Sequence, residues 1–265
     1  MIKRLLKSNN VPFVVKKTLL KINSVNAEKE STFLYKLSKN KVDLFITRSN
    51  RIVKYFGGIE ERIHNLVFNE YLMVEATELC IDDLIIDVGA NIGELSKYFI
   101  SKGHKVYSFE PDIIEFKALQ KNVTNAFNFG LWNENTDLEF FSDNDTGDSS
   151  FILAKSNYNA KYKMKVVRLS DFIFENNLTL GYSIGLLKVE AEGAELEVLE
   201  GSVELFPFIK YITVDCGFER GLKSESTLPQ VLNFLLKYGF EILNVSRTRL
   251  IILLKNSKAV EKITI

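Results

Sequence analysis

The residues able to do chemistry fall into two groups. The first is Asp87-Val88-Gly89-Ala90-Asn91-Ile92-Gly93 with Glu110 beyond it, and the second is the acidic run Glu190-Ala191-Glu192-Gly193-Ala194-Glu195 with Asp215. Glycines in the first group permit a sharp backbone turn and leave no side chain between loop and ligand. A carboxylate roughly 20 residues after such a loop can accept hydrogen bonds from a ribose diol. In the second group, Glu190, Glu192 and Asp215 are candidate proton acceptors, because partial desolvation raises a carboxylate's pKa toward the working range.

These residues need strands and helices to place them. Leu84 to Val88 is short, apolar and β-branched, as a strand buried on both faces should be, and Glu94 to Lys102 carries Leu95, Phe99 and Ile100 at helical spacing before Gly103. The segment therefore reads as strand, glycine loop, helix, with Lys105 to Phe109 as the next strand delivering Glu110. A dinucleotide site would need G-x-G-x-x-G around a pyrophosphate, and Ala90 and Asn91 break that pattern. A nucleoside without phosphates fits better. S-adenosylmethionine is such a ligand, and its sulfonium charge would be favoured by Asp87, Glu110 and the later acidic cluster. The competing reading gives Gly89 and Gly93 a packing role alone.

The rest of the chain alternates. Pro111 and Asp112 open a helix, with Asp112 and Glu115 spaced as a capping box. A strand is expected at about Ala126 to Trp132, and Leu138 to Phe141 and Lys163 to Val167 flank a polar stretch, Ser142 to Ser150, whose composition suggests a mobile loop. Ile184 to Glu190 is a strand leading into a helix closed by Gly201. Then come a strand at Tyr211 to Cys216, a helix at Leu228 to Lys237, and a hairpin of Phe240 to Val245 with Leu250 to Leu254. This order fits an α/β fold with a doubly wound, mostly parallel sheet and a C-terminal antiparallel hairpin. Such sheets bind ligands beyond the carboxyl ends of their strands, where Asp87, Glu110, Gly130, Glu190, Glu192 and Asp215 fall. For Glu192 a second reading is electrostatic capping of the following helix. Lys188 shares a strand face with Glu190, as a partner for a carboxylate or as a catalytic amine. His104 sits at the wrong end of its strand for chemistry, and His64 is a helix-surface residue or a cap over the pocket.

Residues 1–64 read as a small accessory region and 65–265 as the cofactor-binding domain. Within the accessory region, Phe33 to Leu37, Val42 to Thr47 and Ile52 to Phe56 suggest an antiparallel meander, followed by a helix over 59–79. Residues 1–25 form a basic amphipathic stretch containing Lys3, Arg4, Lys7, Lys16, Lys17 and Lys21, and no small-residue cleavage site follows it. It suits peripheral adsorption to the inner face of an anionic membrane, or a helix packed on its own domain with a solvated basic face. No segment approaches a membrane span.

The chain has 265 residues, 46% of them apolar, enough for one packed α/β domain with an extension. Basic and acidic residues balance at 34 each, so no basic excess makes nucleic acid an obligate partner. Cys80 and Cys216 lie far apart with no metal-binding spacing, and read as buried thiols in a reducing cytoplasm. No residues are assigned to a metal.

Taken together, Asp87 to Gly93, Phe109-Glu110-Pro111, and Leu187-Lys188-Val189-Glu190-Ala191-Glu192-Gly193-Ala194-Glu195 through Gly201 resemble the FkbM-type S-adenosylmethionine-dependent methyltransferases, over roughly residues 65 to 256. The resemblance implies a seven-stranded, Rossmann-like class I methyltransferase fold and O-methylation of a sugar, glycan or natural-product hydroxyl. It assigns Asp87, Gly89, Ala90, Asn91, Gly93, Glu110 and Pro111 to the cofactor, with Asn128, Gly130 and Leu131 near the adenine. One departure stands out: the family usually has Lys-Ile-Asp-Val-Glu-Gly where this chain has Lys188-Val189-Glu190-Ala191-Glu192-Gly193, so Glu190 carries its carboxylate one methylene further than the family's aspartate. The resulting expectation is an O-methyltransferase acting on a glycan or glycolipid precursor. Methylation of a small secondary metabolite or an amine, and a silent cofactor-binding module, are the alternatives.

Overall fold

A computed structural model describes residues 2–8, 10–73, 79–153, 158–178, 183–247 and 249–260. The amino-terminal part contains helices α1 (Ile2–Lys7) and α2 (Phe13–Leu20), then strands β1 (Asn26–Lys29), β2 (Leu34–Lys39) and β3 (Val42–Thr47). These strands form an antiparallel sheet in the order β1-β2-β3. The expected third strand at Ile52 to Phe56 is instead a 3-10 helix, Arg51–Tyr55, and the meander is completed by β1. Helix α3 (Ile59–Asn65) runs into a single π-turn, Leu66–Glu70, so the helix expected over 59–79 ends early; residues 74–78 lie outside the described residues. The basic terminus is packed rather than free: Leu6 and Leu20 are buried, and the buried Lys16 donates to Ser49 Oγ at 3.1 Å.

The remainder comprises β4 (Leu84–Val88), α4 (Glu94–Ser101), β5 (Val106–Phe109), α5 (Ile113–Asn122), β6 (Ala126–Phe127), β7 (Gly130–Leu131), β8 (Thr136–Ser142), β9 (Ser149–Ser150), β10 (Ala160–Val167), α6 (Leu169–Glu175), β11 (Ile184–Val189), α7 (Glu195–Glu200), β12 (Ile209–Asp215), α8 (Leu228–Lys237), β13 (Phe240–Val245) and β14 (Ile251–Asn256). Seven of these strands make the central sheet, in the order β13-β14-β12-β11-β4-β5-β6. Only β14 runs against its neighbours. The chain leaves β4 toward β5 and β6 on one side and returns through β11 and β12 on the other, so the strand order reverses between β4 and β11. A crevice for a ligand opens at such a reversal, beyond the carboxyl ends of the strands.

Both faces of the sheet are covered, and that is why β4 and β11 are completely buried and, apart from the paired Asp87 and Lys188, built of apolar residues and glycine. On one face Leu84, Ile86 and Val88 pack with Leu187, Val189, Leu199 and Leu235. On the other, Ile85 and Leu186 join Leu95 and Phe99 of α4 and reach into the accessory region through Leu37, Leu44 and Ile46. Polar contacts reinforce that junction. Asn122 accepts from the backbone N–H of Phe45 at 2.9 Å and donates to its carbonyl at 2.7 Å, while Glu115 of α5 is ion-paired with Arg48 and, at 3.2 Å, with Arg51. The capping box is therefore half-formed. Asp112 accepts from the N–H of Ile114 at 2.8 Å and of Glu115 at 3.2 Å, but the Glu115 side chain turns away to bind Arg48 and Thr47.

The single strand expected over Ala126 to Trp132 is divided: β6 belongs to the central sheet and β7 to a second sheet of order β7-β10-β8-β9. The polar stretch between β8 and β9 is a hydrogen-bonded turn rather than a loose loop. Asp143 Oδ1 accepts from the N–H of Asp145 at 2.9 Å, and Arg48 and Arg51 donate to the carbonyls of Asn144 at 2.7 Å and Thr146 at 3.2 Å. Cys216 is buried as expected, whereas Cys80 is exposed; both are free thiols.

Candidate active site

A cleft partly open to solvent lies at the carboxyl ends of β4, β5 and β11. Its apolar wall is Phe109, Phe129, Leu131, Phe140 and Phe151, contributed by β5, the β6–β7 connection and the second sheet. Glu110, Glu190 and Glu192 supply its carboxylates. A flat apolar slot closed on one side by aromatic rings suits an adenine ring, and a carboxylate at its end suits the attached ribose.

The loop from β4 to α4 forms one rim. Gly89 has φ +66°, and a Cβ there would overlap the carbonyl oxygen of Glu190, so only glycine lets the loops after β4 and β11 pass each other. Asn91, at φ +53°, donates its backbone N–H to Glu110 Oε2 at 2.7 Å, and its side-chain oxygen accepts from Arg51 Nη1 at 2.9 Å. Gly93, also left-handed at φ +86°, serves another purpose: a Cβ would meet Leu119 Cδ1 at 2.8 Å, which places the residue against α5 and away from the cleft.

Glu110 accepts from two backbone N–H groups, those of Asn91 and, at 2.8 Å, Asp112. Burial and the neighbouring charges of Asp112 and Glu115 nevertheless push its pKa up to about 8. Pro111, Gly130 and Leu131 also line the cleft. Asn128 does not. Its amide donates to the carbonyls of Glu110 at 2.8 Å and Pro111 at 3.1 Å, so it holds the end of β5 in place from behind.

A second recess opens on the other side of Gly89, Asn91 and Glu190, toward the accessory region. Ala90 and Asp87 line it. Asp87, 1% exposed, accepts from Ser96 Oγ at 2.6 Å and stands 3.2 Å from Lys188 Nζ. Lys188 also donates to the carbonyls of Val88 at 3.0 Å and Gly89 at 2.7 Å. Burial lowers its pKa, but Asp87 and Glu190 outweigh that and hold it above the ordinary lysine value. Lys188 is thus a cationic tie between strands.

The three carboxylates expected to accept a proton have different fates. Glu190 accepts from Tyr71 Oη and from Arg249 Nη2 at 2.8 Å, with Lys188 Nζ at 3.5 Å. Burial alone would raise its pKa, yet Lys188, Arg249 and Tyr71 pull it down to about 2. An anion so stabilised is a poor base. Asp215 is paired with Arg249, is 2% exposed and lines neither recess. Glu192 does face the cleft. Its backbone is left-handed at φ +50°, and burial together with Glu219, Glu190 and Asp148 shifts its pKa well upward.

Several residues around the site carried no expectation. Arg249 sits in the turn between β13 and β14, which the antiparallel pairing of β14 with β12 brings to the carboxyl end of the sheet; the hairpin itself was the available signal. Lys54 comes from the 3-10 helix that replaces the expected strand at Ile52 to Phe56, and Tyr71 from the residue after the π-turn that ends the expected helix early. Glu219, beyond β12, has its pKa pushed up to about 7 by burial and by Asp215, Glu195 and Glu190. His64 lines an outer groove and His104 packs on Phe99, both away from the cleft.

The strand order, with a glycine loop after β4 and a carboxylate after β5, is that of the Rossmann-like class I methyltransferase fold. The family model described as Methyltransferase FkbM domain matches residues 87–242, and the chain belongs to that family. A curated relative, Methyltransferase 1 of Beauveria bassiana (strain ARSEF 2860), is 29% identical over 148 residues, which span 45% of this chain and 58% of that protein. Among solved structures, methyltransferase FkbM from Methylobacillus flagellatus KT aligns with a TM-score of 0.49 at 15% identity, covering 78% of this chain and 54% of that one. A putative transferase from Pyrococcus horikoshii aligns with a TM-score of 0.43 at 13% identity, covering 85% and 72% respectively.

Proposed function

We propose that the chain transfers a methyl group to a hydroxyl of a sugar, glycan or glycolipid precursor, with Glu192 removing the hydroxyl proton. S-adenosylmethionine supplies an electrophilic methyl group on a sulfonium sulfur. The protein's own tasks are then to seat the nucleoside, align the acceptor oxygen and take its proton. In this reading Phe109, Phe129, Leu131 and Phe140 enclose the adenine, and Glu110 accepts from the ribose hydroxyls. Gly89 and Asn91 form the wall between the nucleoside and the second recess.

The observation that carries the choice of base is the contrast between two neighbouring carboxylates. Glu190 is fixed as an anion by Arg249, Lys188 and Tyr71, whereas Glu192 lines the same cleft without a cationic partner among the described residues and has its pKa raised. A strained backbone at Glu192 is consistent with a residue held for use rather than for stability. A base with a raised pKa accepts a hydroxyl proton more readily near neutral pH.

A balanced net charge, 34 basic against 34 acidic residues, supports a small or glycan acceptor rather than nucleic acid. Among the described residues no helix is long and apolar enough to cross a membrane. Exposed Lys3, Arg4, Lys7 and Lys21 on the outer side of the packed amino-terminal helices support peripheral contact with an anionic membrane surface, with the enzyme working in the cytoplasm. The test is transfer of labelled methyl from S-adenosylmethionine into sugar nucleotides, surface-glycan extracts and small amines. Label in an alkali-stable ether of a sugar supports the reading, and label confined to amines or other metabolites contradicts it.

A further inference from the structure

The second recess is lined by four cations, Lys54, Arg62, Lys188 and Arg249. Three of them are already neutralised. Arg62 is paired with Glu70 and, at 3.1 Å, with Glu94. Lys188 is 3.2 Å from Asp87, and Arg249 is 2.8 Å from Glu190 and also paired with Asp215. Lys54 has no ion-pair or hydrogen-bond partner among the described residues, although it projects into both this recess and the outer groove beyond it.

The nucleoside reading of the first cleft leaves one end of the cofactor unaccounted for. That end is an amino acid, with a carboxylate and an ammonium on one carbon, and it requires an available cation and an available anion together. The recess adjoins the cleft across Gly89, Asn91 and Glu190, which line both. Resting on that reading, we propose that Lys54, from the accessory region, is the cation that receives the carboxylate of the cofactor's amino-acid end. Asp87, which lines the recess and whose Oδ1 accepts no hydrogen bond among the described residues, gives the recess the anion that an ammonium needs.

The surroundings of Lys54 fit this role. Lys54 is exposed to solvent on one side, but the protein packed around the rest of it, with Arg51 and Arg62 repelling its ammonium, holds its pKa below the ordinary lysine value despite the attraction of Glu94. A bound carboxylate would offset that cost. The accessory region would then complete the cofactor site, and the shared buried cluster that joins Leu44 and Ile46 to Ile85 and Leu95 would fix the distance between its two ends.

Calorimetry with three ligands tests the proposal on the full chain. S-adenosylhomocysteine carries the whole amino-acid end, its decarboxylated analogue keeps the ammonium alone, and 5′-methylthioadenosine has neither. Lys54→Met is expected to weaken S-adenosylhomocysteine about tenfold or more, the effect of losing one charge-assisted hydrogen bond, and to leave the other two unchanged. Lys54→Arg should retain most of the affinity. Equal affinity of Lys54→Met and the parent for S-adenosylhomocysteine would overturn the proposal, as would an equal loss for all three ligands. The underlying placement of the nucleoside fails separately, if 5′-methylthioadenosine binds the parent chain and Glu110→Gln alike.

Discussion

Arg249 Nη2 lies 2.8 Å from Glu190 Oε1 and also holds the carboxylate of Asp215, so one guanidinium from the β13–β14 turn ties together the ends of β11 and β12. The glutamate that stands in place of the family's aspartate is thereby a structural anion. Its carboxylate meets Tyr71 and Arg249 at once.

For that reason Glu190→Gln should act on stability before it acts on chemistry. Removing the charge leaves Lys188 and Arg249 short of a partner, at a cost of about 2 kcal/mol, below the figure for fully buried pairs because the site is partly open. The pH dependence has a definite sign. Glu190 has its pKa lowered from 4.5 to about 2, so its contribution is present above 4.5 and disappears as the pH falls toward 2. Denaturant titrations of both proteins between neutral pH and pH 2 should converge at the acid end. Equal stability at neutral pH would contradict the tie.

Glu192→Gln should leave the fold and S-adenosylhomocysteine affinity nearly unchanged and lower turnover about 100-fold, the lower range for loss of a general base. In the parent protein the acid limb of kcat/KM should lie above the ordinary carboxylate range, because burial and Glu219 raise the pKa of Glu192. The variant should lack that limb. Retention of the limb would assign the proton to another group.

Glu110 offers a test that needs no acceptor. Hydrogen bonds from a ribose diol favour its ionised form, so S-adenosylhomocysteine affinity should climb with pH by up to tenfold per unit and level off near pH 8, where its pKa lies. Without ligand the sign is opposite: a carboxyl raised from 4.5 to about 8 contributes stability that is fully present below 4.5, declines as the pH rises above that and is lost by about pH 8. Glu110→Gln should weaken binding and flatten both profiles, as read by calorimetry and thermal melts.

The two glycines of the loop should separate in their effects. Gly89→Ala forces a methyl group onto the Glu190 carbonyl oxygen at φ +66° and is expected to abolish cofactor binding or folding. Gly93→Ala meets the flexible end of Leu119 at 2.8 Å, so it should cost about 1–3 kcal/mol, combining left-handed strain and overpacking, with ligand affinity retained. Melting temperature and calorimetry on both variants check this.

What the amino-acid sequence revealed follows from how local each signal was. Helix Leu228–Lys237 and strand Phe240–Val245 were legible to the residue, because apolar spacing and flanking turn residues lie within the segment itself. The glycine loop and Glu110 were legible because their spacing along the chain is the signature. Strand β1 was not, since among Asn26–Lys29 only Ala27 is buried and no alternation marks it. Nor was the division of Ala126 to Trp132 between two sheets, which Asn128 brings about by holding the carbonyls of Glu110 and Pro111. The strand-end position of Glu190 was legible, whereas the groups that lower its pKa were not, because they include Tyr71, 119 residues away, and Arg249, 59 residues away.

The most direct measurement is a crystal structure with S-adenosylhomocysteine bound. The adenine should lie among Phe109, Phe129 and Phe140, with the ribose hydroxyls on Glu110 and the amino-acid end across Gly89 and Asn91. A nucleoside found elsewhere, or an aromatic slot closed over with Glu110 facing away from the ligand, would contradict the account.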